Sequence, residues 1–129
     1  MPVFASTSQA SSLFGELFSI LLADEQFSSR LRQNQLSVLI THTNPDFTLF
    51  LEPGGVHIDE APAKPLISIK MSCDTAHALW SGKLLLPLAL ATGKLRVRGS
   101  MAKVLEFAPM LQPAFDRYPD LAVAAGVAH

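Results

Sequence analysis

The stretch Leu79–Ser100, LWSGKLLLPLALATGKLRVRGS, constrains the fold more than any other part of the chain. Leu84 through Ala91 is apolar throughout, interrupted only by Pro87, and lies between two Gly-Lys pairs, Gly82-Lys83 and Gly93-Lys94. A membrane helix needs about 20 apolar residues, so this run is far too short to span a bilayer. Proline is accommodated in a first helical turn, where its missing amide has no bond to lose, and glycine stops a helix readily. The expected result is a short turn of helix from about Pro87 to Ala91. A strand follows at once, with Leu95 and Val97 on one face and Lys94, Arg96 and Arg98 on the other. A chain built this way either fills its own core with the leucines or keeps them for an apolar guest or partner.

Upstream, the pattern changes twice. Residues 1–12 are mostly small and hydroxylated and read as a flexible tail, which leaves 13–129 as a single domain. Leu13, Leu17, Ile20, Leu21 and Phe27 recur at helical spacing, with Ser11 or Ser12 as the cap. From Leu36 the period becomes two. LSVLITH, FTLFLE, VHID and LISIKM read as four strands, separated by the turn residues NPD and PGG and by the segment EAPAKP. Connections this short predict antiparallel neighbours. Leu49 and Leu51 share a face with Phe47, and Ile67 and Ile69 share one with Met71. SCDTAHALWSG returns to helix, capped by Ser72 or Asp74 and stopped at Gly82. A last helix opens near Ser100, with Met101, Val104, Leu105 and Ala108 along one side. Pro109, Pro113 and Pro119 are expected to interrupt it.

Composition narrows the function classes. Apolar residues make up 49% of the chain and charged residues only 16%, so a well-filled core or a reserved apolar surface is required. A net charge of −1 argues against a nucleic-acid partner. One cysteine, Cys73, allows no internal disulfide and fits a reducing compartment. The opening carries no basic secretory leader, and the expected location is the cytoplasm.

With the order helix, four strands, helix, apolar turn, strand and helix laid out, the chain resembles the sterol carrier protein 2 family. Gly82-Lys83, Gly93-Lys94-Leu95, Val97, Gly99 and Met101 carry the likeness, within a pattern spanning residues 79–107. Ser100 stands where relatives often have Asp or Asn. The resemblance implies an α+β fold, a five-stranded, mainly antiparallel sheet with helices packed on one face. It also implies a non-enzymatic lipid-binding or lipid-transfer role without a cofactor. The guest would be a fatty acid, fatty acyl-CoA, sterol-like molecule or isoprenoid, a quinone precursor among them. A hollow lined by Leu, Ile and Phe stays dry and accepts apolar guests. About fifteen methylenes at about 0.8 kcal/mol each would supply about 12 kcal/mol before ordering costs.

The ligand-facing residues expected on this reading are Leu49, Leu51, Ile67, Ile69, Trp80, Leu84, Leu88, Leu90, Val97, Met101, Leu105 and Met110. Trp80 also suits plain core or an interfacial anchor, and Met101 and Met110 also suit ordinary core filling. Lys83, Lys94, Arg96 and Arg98 form either a solvated face or a contact for anionic headgroups, worth about 1 kcal/mol each near a charged membrane. Cys73 and His77 lie four apart, the spacing of a thiol–base pair, but no further motif supplies an oxyanion site. His42, His57 and Asp59 match no zinc spacing, so no metal is expected. A rival from another class is a dimeric interaction domain with a self-filled core. A homodimer and a transient membrane contact are the other partners the pattern allows.

Overall fold

The computed structural model describes residues 3–127, apart from the side chain of Met101. Helix α1, Thr7–Ala23, places Ala10, Leu13, Phe14, Leu17, Phe18 and Leu21 in the core. Their spacing of three and four makes one continuous apolar stripe. Helix α2 is Glu25–Gln33. Strands β1 (Val38–Thr43), β2 (Phe47–Glu52) and β3 (Gly55–Ile58) form consecutive antiparallel pairs. Strand β4, Ile67–Ser72, leads into α3, Cys73–Trp80, and α4 is Leu86–Ala91. Strand β5, Leu95–Gly99, pairs antiparallel with β4. Helix α5, Met101–Phe107, a 3₁₀ turn at Ala108–Leu111 and α6, Gln112–Ala124, complete the order.

The fold is α+β: among the described residues, five strands run in the order β3-β2-β1-β4-β5. The register puts Val38, Ile40, Leu49, Leu51 and Ile67 on one face, where they join the helices in one core. The opposite face carries Thr41, Thr48, Lys70, Arg96 and Arg98 and faces water. Phe50 is the exception there, buried with its ring centroid 6.2 Å from that of His57.

Local expectations hold where local chemistry decides. The Ser72 hydroxyl caps α3 by accepting from the Thr75 N–H at 3.0 Å. Gly82 ends that helix with φ 77°, the left-handed region open to glycine. Gly99 has φ 126°, and the Leu66 carbonyl lies where a Cβ would stand, so only glycine closes β5 against β4 without a clash.

Four expectations need correction. First, β4 does not pair with β3. The segment 59–66 carries the chain back across the sheet, and β4 lies parallel to β1, with Val38 opposite Ile67 and Ile40 opposite Ile69. The reason is burial: Ile67 and Met71 are shielded only when β4 has neighbours on both sides, whereas β3 is half-exposed throughout and suits an edge. Second, the segment expected as a tail is structured from residue 3 onward. Ser6 caps α1 through the Gln9 N–H, Phe4 is buried beside Phe14, and the Val3 N–H bonds Asp74. Met1 and Pro2, like Ala128 and His129 at the other end, lie outside the described residues. Third, the first helix is two helices. The Asp24 carboxylate accepts from the N–H groups of Gln26 and Phe27, so Phe27 belongs to α2. Fourth, Pro109 does end α5, but Pro113 sits in the first turn of α6 and Pro119 lies inside that helix without stopping it.

Candidate functional site

Behind β4 and β5 the helical layer does not close completely. A cavity of about 40 Å³ lies there, and all its lining residues are apolar. Its floor is Ile40 of β1, Ile69 and Met71 of β4, and Leu95 and Val97 of β5. Its walls are Leu79 and Trp80 of α3, Leu86 and Leu90 of α4, and Val104 and Phe107 of α5, with Ala108 and Leu111 beyond. A space this small is well below the roughly 300–1,000 Å³ of a small-molecule pocket. An acyl chain would need α4 and α5 to move outward.

These two helices are suited to such movement. α4 buries only Ala89, and Phe107 is the residue that α5 buries among its described side chains. Leu86 of α4 turns inward to the cavity, but other leucines on and just before these helices face water: Leu85 is 70% exposed, Leu88 53%, Leu90 42% and Leu105 67%. Leu90 is both lining and exposed, which puts it at the mouth.

Of the twelve expected ligand-facing residues, Ile69, Trp80, Leu90 and Val97 meet at this cavity. Leu49, Leu51 and Ile67 share the sheet's inner face but are fully buried in the core away from it. Leu84 is half-buried in the turn before α4, while Leu88 and Leu105 point outward. Met110 is buried beside a separate surface groove with Phe27 and Pro109. Met101 opens α5, and its side chain lies outside what the structure describes. Leu86 was missed, although helical spacing pairs it with Leu90 four residues on. Met71 and Leu95 were also missed; strand alternation puts them on the face of Ile69 and Val97.

The four expected headgroup cations fall in two places. Lys83 is exposed in the turn before α4. Arg96 and Arg98 are on the water-facing side of β5, behind the cavity floor, and Lys94 is exposed just ahead of them.

The polar groups weighed as catalytic or metal-binding sit deeper. The Cys73 thiol donates to the Pro45 carbonyl at 3.2 Å. Burial, then the Asp74 and Asp46 carboxylates, pushes it up to about 12, so it stays a thiol and a poor nucleophile at neutral pH. His77 Nδ1 lies 2.7 Å from the Tyr118 hydroxyl. His42 is stacked against Phe47 with ring centroids 4.2 Å apart, while His57 pairs with Glu52 at 3.3 Å. Asp59 accepts the Thr48 N–H. Among the described residues no three His, Cys, Asp or Glu side chains are grouped to hold a metal ion. Nor, among them, is any helix long and apolar enough to cross a membrane.

A sheet with helices on one face and a wholly apolar cavity between the two defines the class. The sequence profile of the SCP-2 sterol transfer family matches residues 18–112, and the chain belongs to that family. No curated protein is similar enough in sequence to count as a relative. Solved structures agree on the fold. Sterol carrier protein 2 from Yarrowia lipolytica, in its apo form, is 17% identical with a TM-score of 0.65, covering 91% of this chain and 100% of its own. The sterol carrier protein domain 2 of Helicoverpa armigera is 16% identical with a TM-score of 0.71, covering 88% and 94%. The SCP2 domain of the ubiquinone synthesis protein UbiJ is 14% identical with a TM-score of 0.58, covering 86% and 95%.

Proposed function

We propose that this protein is a non-enzymatic lipid carrier that takes an apolar chain into the cavity between α4, α5 and the sheet. The observation that carries this reading is the conjunction at one place of an all-apolar hollow and a rim of leucines left in water. Folding alone gives no reason to leave Leu85, Leu88 and Leu105 outside, because each would gain about 1.5–3 kcal/mol by full burial. They are accounted for if they meet hydrocarbon during exchange. The guest is a fatty acid, fatty acyl-CoA, sterol-like molecule or isoprenoid, and the likeness to a ubiquinone synthesis protein supports including a quinone precursor. Ile69, Trp80, Leu86, Leu90 and Val97 touch it, and the all-apolar lining sets length and girth as the selection rule, not a polar anchor.

Loading requires a transient membrane contact, made by Leu85, Leu88 and Leu105 with Lys83 at the edge. The single cysteine, buried and unpaired, supports a reducing compartment such as the cytoplasm. Native mass spectrometry of gently isolated protein tests the reading. A co-purifying lipid mass, displaced by added oleate, is the expected result. A lipid-free, tight dimer that takes up no oleate would instead favour an accessory domain that pairs through its exposed leucines.

A further inference from the structure

Strand β5 alternates strictly: Leu95 and Val97 floor the cavity while Arg96 and Arg98 face the other way, onto the water side of the sheet. There Arg96 is the register partner of Lys70 on β4, and Arg98 is opposite Ser68. Like charges directly opposite across a sheet are destabilising. The ordinary remedy is a nearby carboxylate, and the chain has 11 acidic residues to draw on. Yet among the described residues the ion pairs are Glu52–His57 and Lys103–Glu106, and neither serves this patch. Lys70, Lys94, Arg96 and Arg98 are all exposed.

The surface is also concave at this point. Lys70, Lys94 and Arg96 line a depression of about 290 Å³ together with Thr43, Ser72 and Gly93. A neighbouring depression continues past Ser68 and Thr41 to Arg98. Asp46 and Asp59 line an adjoining depression that Lys70 also borders, but neither forms an ion pair with it, and each accepts a backbone N–H, from Asn44 at 3.2 Å and Thr48 at 3.0 Å.

We infer that this trough is an anion site, separate from the lipid cavity, that takes a phosphate-type oxyanion between Lys70, Lys94 and Arg96. A guanidinium presents paired donors that match two phosphate oxygens, and ammonium groups add charge from either side. The bound anion relieves the Lys70–Arg96 repulsion, so binding and stability are linked. Because the trough backs the cavity floor, it stays open while the leucine rim meets a membrane. The chemistry is shared by a soluble phosphate ester and by a lipid headgroup, and it does not depend on the cavity holding a lipid.

The test uses the full chain and Lys70→Glu. Inorganic phosphate, compared with sodium chloride at equal ionic strength, is expected to raise the wild-type melting temperature saturably and to shift the amide resonances of Thr43, Gly93, Lys94 and Arg96. Lys70→Glu is expected to melt higher than wild type without phosphate, since a carboxylate in place of the ammonium attracts Arg96. It is also expected to bind phosphate about 10-fold more weakly or worse. Glycerol phosphate and vesicles of phosphatidic acid in phosphatidylcholine separate the two sources. Binding by either that is lost in Lys70→Glu supports the site, and shows whether a soluble ester or a headgroup occupies it. Absence of a saturable phosphate response in the wild type, or an equal response in Lys70→Glu, overturns it.

Discussion

The two ends of the helical layer are built on different terms. Over β1 and β2 the core is aromatic and closed: the Phe14 ring lies 5.2 Å from Phe4, 5.1 Å from His42 and 5.9 Å from Tyr118. Each of these rings is buried, and a long helix with six buried residues covers them. Over β4 and β5 the cover is two short helices, α4 and α5, that bury little and leave leucines in water. Close-packed aromatic interiors transmit strain and resist rearrangement, whereas few buried contacts mark a segment that opens at low cost. The first end specifies the fold; the second is available to move.

The largest contrast is expected from truncation in the closed end. Phe14→Ala removes the ring packed against those of Phe4, His42, Phe47 and Tyr118 and is expected to cost about 3–5 kcal/mol in urea unfolding. A loss below about 1 kcal/mol would mean that the two ends do not differ in this way.

Acid should act on the same end. Burial lowers the His42 pKa to about 4, with a backbone hydrogen bond to Phe47 opposing. The folded state therefore holds His42 neutral while the unfolded chain takes up a proton below about 6.5. Stability falls as pH drops from about 6.5 to about 4, by about 3 kcal/mol from this group, and the contribution levels off below that. His42→Phe, which does not titrate, should lose correspondingly less over that window in parallel urea titrations; identical pH profiles would contradict the assignment.

Filling the open end sharpens the comparison from the other side. Val104→Phe puts a ring into the cavity from α5 and is expected to change stability by about 1–2 kcal/mol at most. Uptake of a fluorescent fatty acid should fall far more, by about 10-fold or greater, because the added ring occupies the space of the guest. The smallest expected stability effect belongs to the rim. Leu88→Ser with Leu105→Ser should stay within about 0.5 kcal/mol of wild type, while vesicle flotation drops clearly.

These contrasts also explain what was legible in the chain. The segment from Gly82 to Gly99 could be read because each step depends on local chemistry: a left-handed glycine, a proline in a first turn, a period of two with cations on one side. The return of β4 to lie beside β1 could not, since nothing within LISIKM distinguishes a parallel from an antiparallel neighbour; the difference lies in how much of Ile67 and Met71 must be covered. The cavity was half legible. Trp80, Ile69 and Val97 follow from alternation and helix order. Leu88 was assigned inward and Leu86 was not, because a run of leucines has no polar face to fix its rotation. The ordered N-terminal segment was missed for a similar reason: Phe4, the residue that anchors it in the core, is a lone aromatic among small residues and shows no period at all.

The most direct measurement of the central claim is an isotope-filtered NOE experiment on the protein loaded with unlabelled oleate. If the cavity under α4 and α5 admits a lipid chain, the acyl protons will show NOEs to the methyl groups of Ile69, Val97, Leu86 and Leu90 and to the Trp80 ring. If NOEs reach only Leu85, Leu88 and Leu105, the lipid rests on the outside and the protein does not carry it within.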